Sequence, residues 1–407
     1  MKKSYSLLFV TLCLALCLLG PVKVRADERN LYSITADAYA GASVSLLLIE
    51  MESRFDVYNT LFRFDPSLLP SPLKVRVFGN KEAYDQYVTE HLGFTRAGAV
   101  YLHYSQAERR ELVIHREATL LTEAPMLAHQ AFIQYLRAFI PNPPSWMLEG
   151  FAIYFSTLNF DPPLALLYEE NLLWLESVKK LGNRLPSPEA LFLADISGFP
   201  SGIPSGYSPE ARTGPSAEIP EDFQISSWAL VSFLLNSGLD YFRTLTESFM
   251  LLSPTADAAE NSLVVMNRFS RWNGFNIDVD FKSYLESRRT YRELMDDGLG
   301  AYSIGDMMNA EFSFMAAKEQ HPAEFAPYYY LGLLSYEGKD YETAEQYYLA
   351  SLERGADEAL ISYALGINAA AAGRFREAAG FLEKAATLDP ARYLIRANDL
   401  IRKMGQQ

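Results

Sequence analysis

Two side chains in this 407-residue sequence combine reactive chemistry with suggestive spacing. His129 lies midway along a helical pattern over 122–140, and Glu149 follows the break at Pro141-Asn142-Pro143-Pro144, inside Trp146-Met147-Leu148-Glu149-Gly150. An imidazole and a carboxylate can share a proton, exchange one with a substrate or ligate a metal. Position 133, four residues beyond His129 and on the same helix face, could point at the same ion, but Ile133 has no lone pair. Gln130 follows His129, and an amide cannot take up a proton. One imidazole and one carboxylate make a weak zinc site, since a catalytic zinc takes three protein ligands and an open water position. Three outcomes stay open. His129 and Glu149 hydrogen-bond each other or their neighbours in a partly buried pocket, hold a vestigial metal, or serve in a rearranged site. His103 and His115 could supply a further ligand, and read first as surface or cross-strand residues.

Holding these groups together calls for a mixed architecture. Periodicity predicts strands at Leu31–Thr35 and Leu73–Phe78, helices at Gly41–Arg63 and Lys81–Glu90, and paired strands at Ala97–Tyr104 and Glu111–Arg116. The His129 helix opens at Thr122 and carries Pro125 in its first turn, where proline is tolerated. A helix over 145–158 carries Glu149, and more helices are expected at 163–181, 187–194, 223–252 and 256–296. Of the 24 residues in 197–220, 14 are Gly, Pro or Ser, which predicts a flexible surface loop without a core. No phosphate-binding G-x-x-x-x-G-K-[ST], no G-x-S-x-G elbow and no C-x-x-C pair occurs.

The phrase LAHQAFIQYLRAFIPNPPSWMLEGFAIYF, residues 127–155, resembles the exported peptidase-like domains of the gluzincin class. In that class a helix bearing H-E-x-x-H gives two zinc ligands and a general base, and a Glu in a following W-x-x-E-G-x-A phrase gives the third ligand. The resemblance extends over roughly 30–295 and implies a zincin-like α+β fold. It matches His129 to the first histidine, Gln130 to the base, Ile133 to the second histidine and Glu149 to the glutamate ligand, with Trp146 and Ala152 in its frame. The base and one ligand are therefore replaced. The resemblance thus implies a catalytically dead domain with no cofactor. The rival is an active zinc metallopeptidase with a rearranged ligand set.

The tail has a 34-residue period. Tyr328, Leu331, Gly332, Tyr341, Ala344, Tyr348 and Ser351 are followed by Ser362, Leu365, Gly366, Phe375, Ala378, Leu382 and Ala385, closing at Asp389-Pro390. This spacing resembles tetratricopeptide repeats, two of them over 325–390. Small residues let paired helices approach, and large ones fill the space between pairs. The segment 298–324 is expected as a linker with a capping helix, and 391–407 as a C-terminal capping helix. In such repeats the first helix of each pair lines the inner face, which implies a protein or peptide partner held by Tyr329, Tyr330, Leu333, Tyr336 and Asn368. The bland alternative is that these tyrosines pack on the preceding domain.

Lys2 and Lys3, the apolar run to Leu19 and Val24-Arg25-Ala26 read as a signal peptide over residues 1–26, with export to a bacterial periplasm or envelope. An uncleaved anchor and a lipid on Cys17 remain the alternatives. Cleavage would remove four basic residues and no acid from a chain of net charge −14, so neither nucleic acid nor anionic lipid is an expected partner. Both cysteines lie in that segment, and no later run is long enough to span a bilayer. The expected whole is a degenerate peptidase-like domain over 27–297 followed by an all-α repeat module, acting as a non-enzymatic scaffold or adaptor.

Overall fold

The computed structural model describes residues 31–37, 44–116, 124–161, 165–168, 172–194, 220–270 and 276–405. The expected signal peptide and nearly all of the 197–220 loop lie outside them. The chain divides after Ser287 into two compact units.

The first unit opens with strand Tyr32–Ala36 (β1), helix Val44–Phe62 (α1), strand Leu73–Phe78 (β2), helix Lys81–Leu92 (α2) and strands Ala99–Leu102 (β3) and Glu111–His115 (β4). The sheet order is β1-β2-β4-β3; the first three are parallel and β3 is an antiparallel edge. Both β3 and β4 are buried along their length, because both sheet faces are covered. Ala99, Tyr101, Leu112 and Ile114 join the main core, whereas Val100, Leu102 and Val113 meet Tyr84, Val88 and Leu92 of α2 on the other face. That is the two-residue alternation of a strand.

Helices Ala124–Phe139 (α3) and Ser145–Phe155 (α4) follow. Phe132 and Tyr135 of α3 set their rings 5.2 and 5.4 Å from Tyr58 of α1. A hairpin, Leu158–Asp161 (β5) with Ala165–Tyr168 (β6), comes next. It stands where the sequence predicts the start of a helix over 163–181, a short apolar run whose periodicity does not distinguish the two. Helices Leu172–Leu181 (α5), Pro188–Leu193 (α6), Glu221–Asn236 (α7), Leu239–Phe249 (α8), Ala258–Ser270 (α9) and Ile277–Ser287 (α10) complete the unit. Buried Arg54 of α1 donates to Glu50 and to the Leu158 carbonyl, both at 2.9 Å, and Arg116 reaches the other Glu50 oxygen at 3.2 Å. The buried charges are thus paired, as their desolvation requires.

The second unit consists of helices Tyr291–Ser303 (α11), Met307–Gln320 (α12), Phe325–Glu337 (α13), Tyr341–Glu353 (α14), Glu358–Ala371 (α15), Phe375–Leu388 (α16) and Pro390–Met404 (α17). α11–α12, α13–α14 and α15–α16 form three hairpins with one packing device. A Cβ on Gly298, Gly332 or Gly366 would stand 2.5, 2.6 or 2.7 Å from Phe314, Tyr348 or Leu382 respectively. Both partners recur every 34 residues. So do the buried Ala310, Ala344 and Ala378, and the left-handed turn residues Gly305, Lys339 and Gly373, with φ of 78, 62 and 78°. The array therefore has three pairs plus α17, not two. Residues 298–324 are the body of the first pair rather than a linker, and the boundary expected after 297 falls inside α11. The physical reason is at Asp296 and Asp297, which occupy the repeat positions of Tyr330 and Leu331. Tyr330 and Leu331 pack against the preceding pair. No pair of this unit precedes α11, and Asp296 and Asp297 are exposed, as the polar outer face of a terminal repeat should be.

Candidate functional site

The His129 centre is built from α3, α4 and the edge strand β3. The Tyr101 N–H donates to Gln130 Oε1 at 2.9 Å. A backbone N–H can only donate, so the amide's oxygen must face the strand and its NH2 must face His129. Gln130 Nε2 is 3.1 Å from His129 Nδ1. Nδ1 therefore accepts, and the neutral ring carries its proton on Nε2, which lies 3.6 Å from Glu149 Oε2. Glu149 is only 3% exposed and that oxygen makes no hydrogen bond. Neither ring nitrogen offers a free lone pair to a metal beside Glu149 while Gln130 keeps this orientation. Ile133 packs against the main core. Among the described residues no three His, Cys, Asp or Glu side chains are grouped to hold an ion.

The frame around Glu149 has a packing purpose. Trp146 sets its ring edge-on to Phe192 at 5.2 Å, and Trp146, Phe151 and Ala152 are fully buried. Gly150 is where α4 crosses α7, since a Cβ there would meet the Ser227 carbonyl oxygen at 2.4 Å. Four residues beyond Gln130, Gln134 donates to the Lys74 carbonyl of β2 at 2.8 Å, so two amides on α3 tie the helix to the sheet. Sequence reasoning missed both roles; the Gln-x-x-x-Gln spacing was the available signal. His103, just past β3, has its ring 5.8 Å from Tyr101. Burial, with help from Arg137 and Arg110, pushes its pKa down to about 3. His115 ends β4 and sets its ring 5.8 Å from Tyr84.

In the repeat unit the five expected partner-binding residues separate. Tyr329, Leu333 and Tyr336 are half-buried against a cluster containing Tyr348, Ile361 and Leu365. Tyr330 stacks on Phe314, 5.0 Å apart and 13° from parallel, and so belongs to the packing between pairs. Asn368 is 1% exposed, and its amide donates to the Tyr341 carbonyl at 2.7 Å; it is a buried tie, not a surface handle. Within 361–370 only Tyr363, Ile367 and Ala370 are not buried. They extend the same face, because Leu299, Leu333 and Ile367 are 34 residues apart, as are Tyr302 and Tyr336, and Tyr329 and Tyr363. The result is an uncharged aromatic and aliphatic stripe along the first helix of each pair.

No protein-family model matches this chain, and no curated protein does. Among solved structures, an Arabidopsis OM64 TPR domain is similar over 29% of this chain and 95% of its own length, at 17% identity and a TM-score of 0.27. The repeat character of the second unit stands on the recurrent helix packing: it is a tetratricopeptide-like helical array. No helix among the described residues is long and apolar enough to cross a membrane.

Proposed function

We propose that this protein is an exported, non-enzymatic adaptor that holds a protein partner along the inner stripe of its repeat array. The observation that carries this is the partly exposed ladder of Tyr329, Leu333, Tyr336 and Ile367, uncharged side chains that the packing between pairs leaves open in part. Helical repeats present such faces to extended or helical segments, with aromatic anchors dominating affinity. The first unit serves as a pseudo-peptidase body. Supporting that role are Gln130, turned to tie helix to strand, and Ile133, turned into the core. The test compares full-length protein with a Tyr329→Ala, Tyr336→Ala form as bait in envelope extract. A partner captured by the first and released by the second, at equal helicity, supports the proposal; equal capture by both counts against it. The same preparations, weighed intact from the native cell, should begin at Asp27.

A further inference from the structure

The outer surface of the first pair breaks the pattern set by the other two. Ile304, Met308 and Phe312 are 80%, 76% and 74% exposed. Met308 and Phe312 are four residues apart on one face of α12, and Ile304 caps the end of α11 at the turn just before it. The repeat itself says what these positions face. Their equivalents 34 residues on are Gly338, Glu342 and Gln346, and in the third pair Ala372, Arg376 and Gly380. Glu342, Gln346, Arg376 and Gly380 are all exposed. Stacking therefore leaves these sites to solvent, and two pairs fill them with polar or small residues. The first pair alone fills them with large apolar ones.

We propose that this patch is a self-association face, which pairs α12 with α12 of a second copy of the chain about a two-fold axis. It lies apart from the partner-holding stripe. The sequence of α12 is self-complementary in one antiparallel register, with the axis level with Ala310. Met308 of each copy then meets Phe312 of the other, a thioether on an aromatic ring, which is a favourable contact. Glu311 meets Asn309, a carboxylate opposite an amide donor. No like charges are brought together in this register, which an isologous contact requires residue by residue. The three side chains expose on the order of 400 Å² per copy, a patch larger than scattered surface residues make. Doubled across the axis and widened by its rim, the contact reaches about 1,000 Å², the size of a weak, concentration-dependent dimer.

Sedimentation velocity of the full chain over a micromolar range tests this. The parent should pass from monomer to dimer with rising concentration. Met308→Glu with Phe312→Gln puts into the first pair the residues that the second carries at those places, so folding should be unaffected. That variant should self-associate at least about tenfold more weakly, with unchanged helicity and unfolding temperature. Ile395→Gln on α17 removes an equally exposed side chain, 84% open, and should leave the dimer intact. A parent that stays monomeric throughout, a dimer indifferent to the double substitution, or a dimer lost with Ile395→Gln would each overturn the proposal.

Discussion

Gln130 holds two neighbours at once, accepting from the Tyr101 N–H and donating to His129 Nδ1. A glutamate at that place could still accept from Tyr101 but could not donate to the ring. Gln130→Glu should therefore move the His129 proton from Nε2 to Nδ1, readable in the ¹⁵N shifts of the imidazole, and turn the Nε2 lone pair toward Glu149. With Ile133→His added, the chain should take up about one zinc where the parent takes up almost none; an unchanged tautomer and no metal uptake would show that Gln130 does not set the state of the ring. What the sequence made legible here was the loss: no base, no second imidazole. It did not disclose that the replacement has bonds of its own, because these run to a backbone group 29 residues away in a separate strand. His103 adds a pH dependence. Its folded pKa, about 3, lies below the ordinary 6.5. Between those values the unfolded chain binds a proton that the folded chain refuses, so stability falls as pH drops through that window. His103→Asn should flatten the fall in denaturant midpoint between neutral and mildly acidic pH; an unchanged slope would mean the ring is open enough to protonate in place.

Helices in both units meet at glycines, but not every glycine has that purpose. At Gly298, Gly332 and Gly366 a methyl group would stand under 3 Å from a ring or a branched chain, and at Gly150 it would press on backbone. Alanine at the three repeat glycines should cost about 1–3 kcal/mol each, and at Gly150 about 3 kcal/mol or more, since a carbonyl cannot move aside as a side chain can. Gly300 and Gly380 sit inside α11 and α16 with nothing near them. Alanine there should stabilise by about 0.5–1 kcal/mol. Denaturant unfolding of all six variants decides it, and a uniform sign across the set would remove the distinction. The second and third pairs were legible because their Leu-Gly steps repeat, Leu331-Gly332 and Leu365-Gly366. The first pair was hidden by one substitution: its glycine, Gly298, follows Asp297 instead of a leucine. A terminal element has no neighbour to bury a leucine against, so the residue most useful for recognising the repeat is the one its place in the stack removes.

At the scale of the whole molecule the two units cohere in different ways. The first is built on strands far apart in sequence, with β1 beside β2 and β2 beside β4, around one aromatic-rich core. The second is held by neighbours only, pair against pair. Such arrays open from their ends. Hydrogen exchange should therefore find α13, α14 and α15 the slowest elements of the second unit, with α11 and α17 faster, while the sheet of the first exchanges as a block. Equal protection along the array would indicate a single cooperative unit instead. The fixed 34-residue step also constrains how this protein could have lengthened, or could be lengthened. An added copy of 325–358 placed after Glu358 would present Gly332, Tyr348 and their turn to neighbours already shaped for them. The same cassette placed ahead of Tyr291 would bury the carboxylates of Asp296 and Asp297 against an apolar face. Duplication is thus open in the interior of the array and closed at its first helix, so any longer descendant should keep that acidic pair at the outset and carry its insertions downstream.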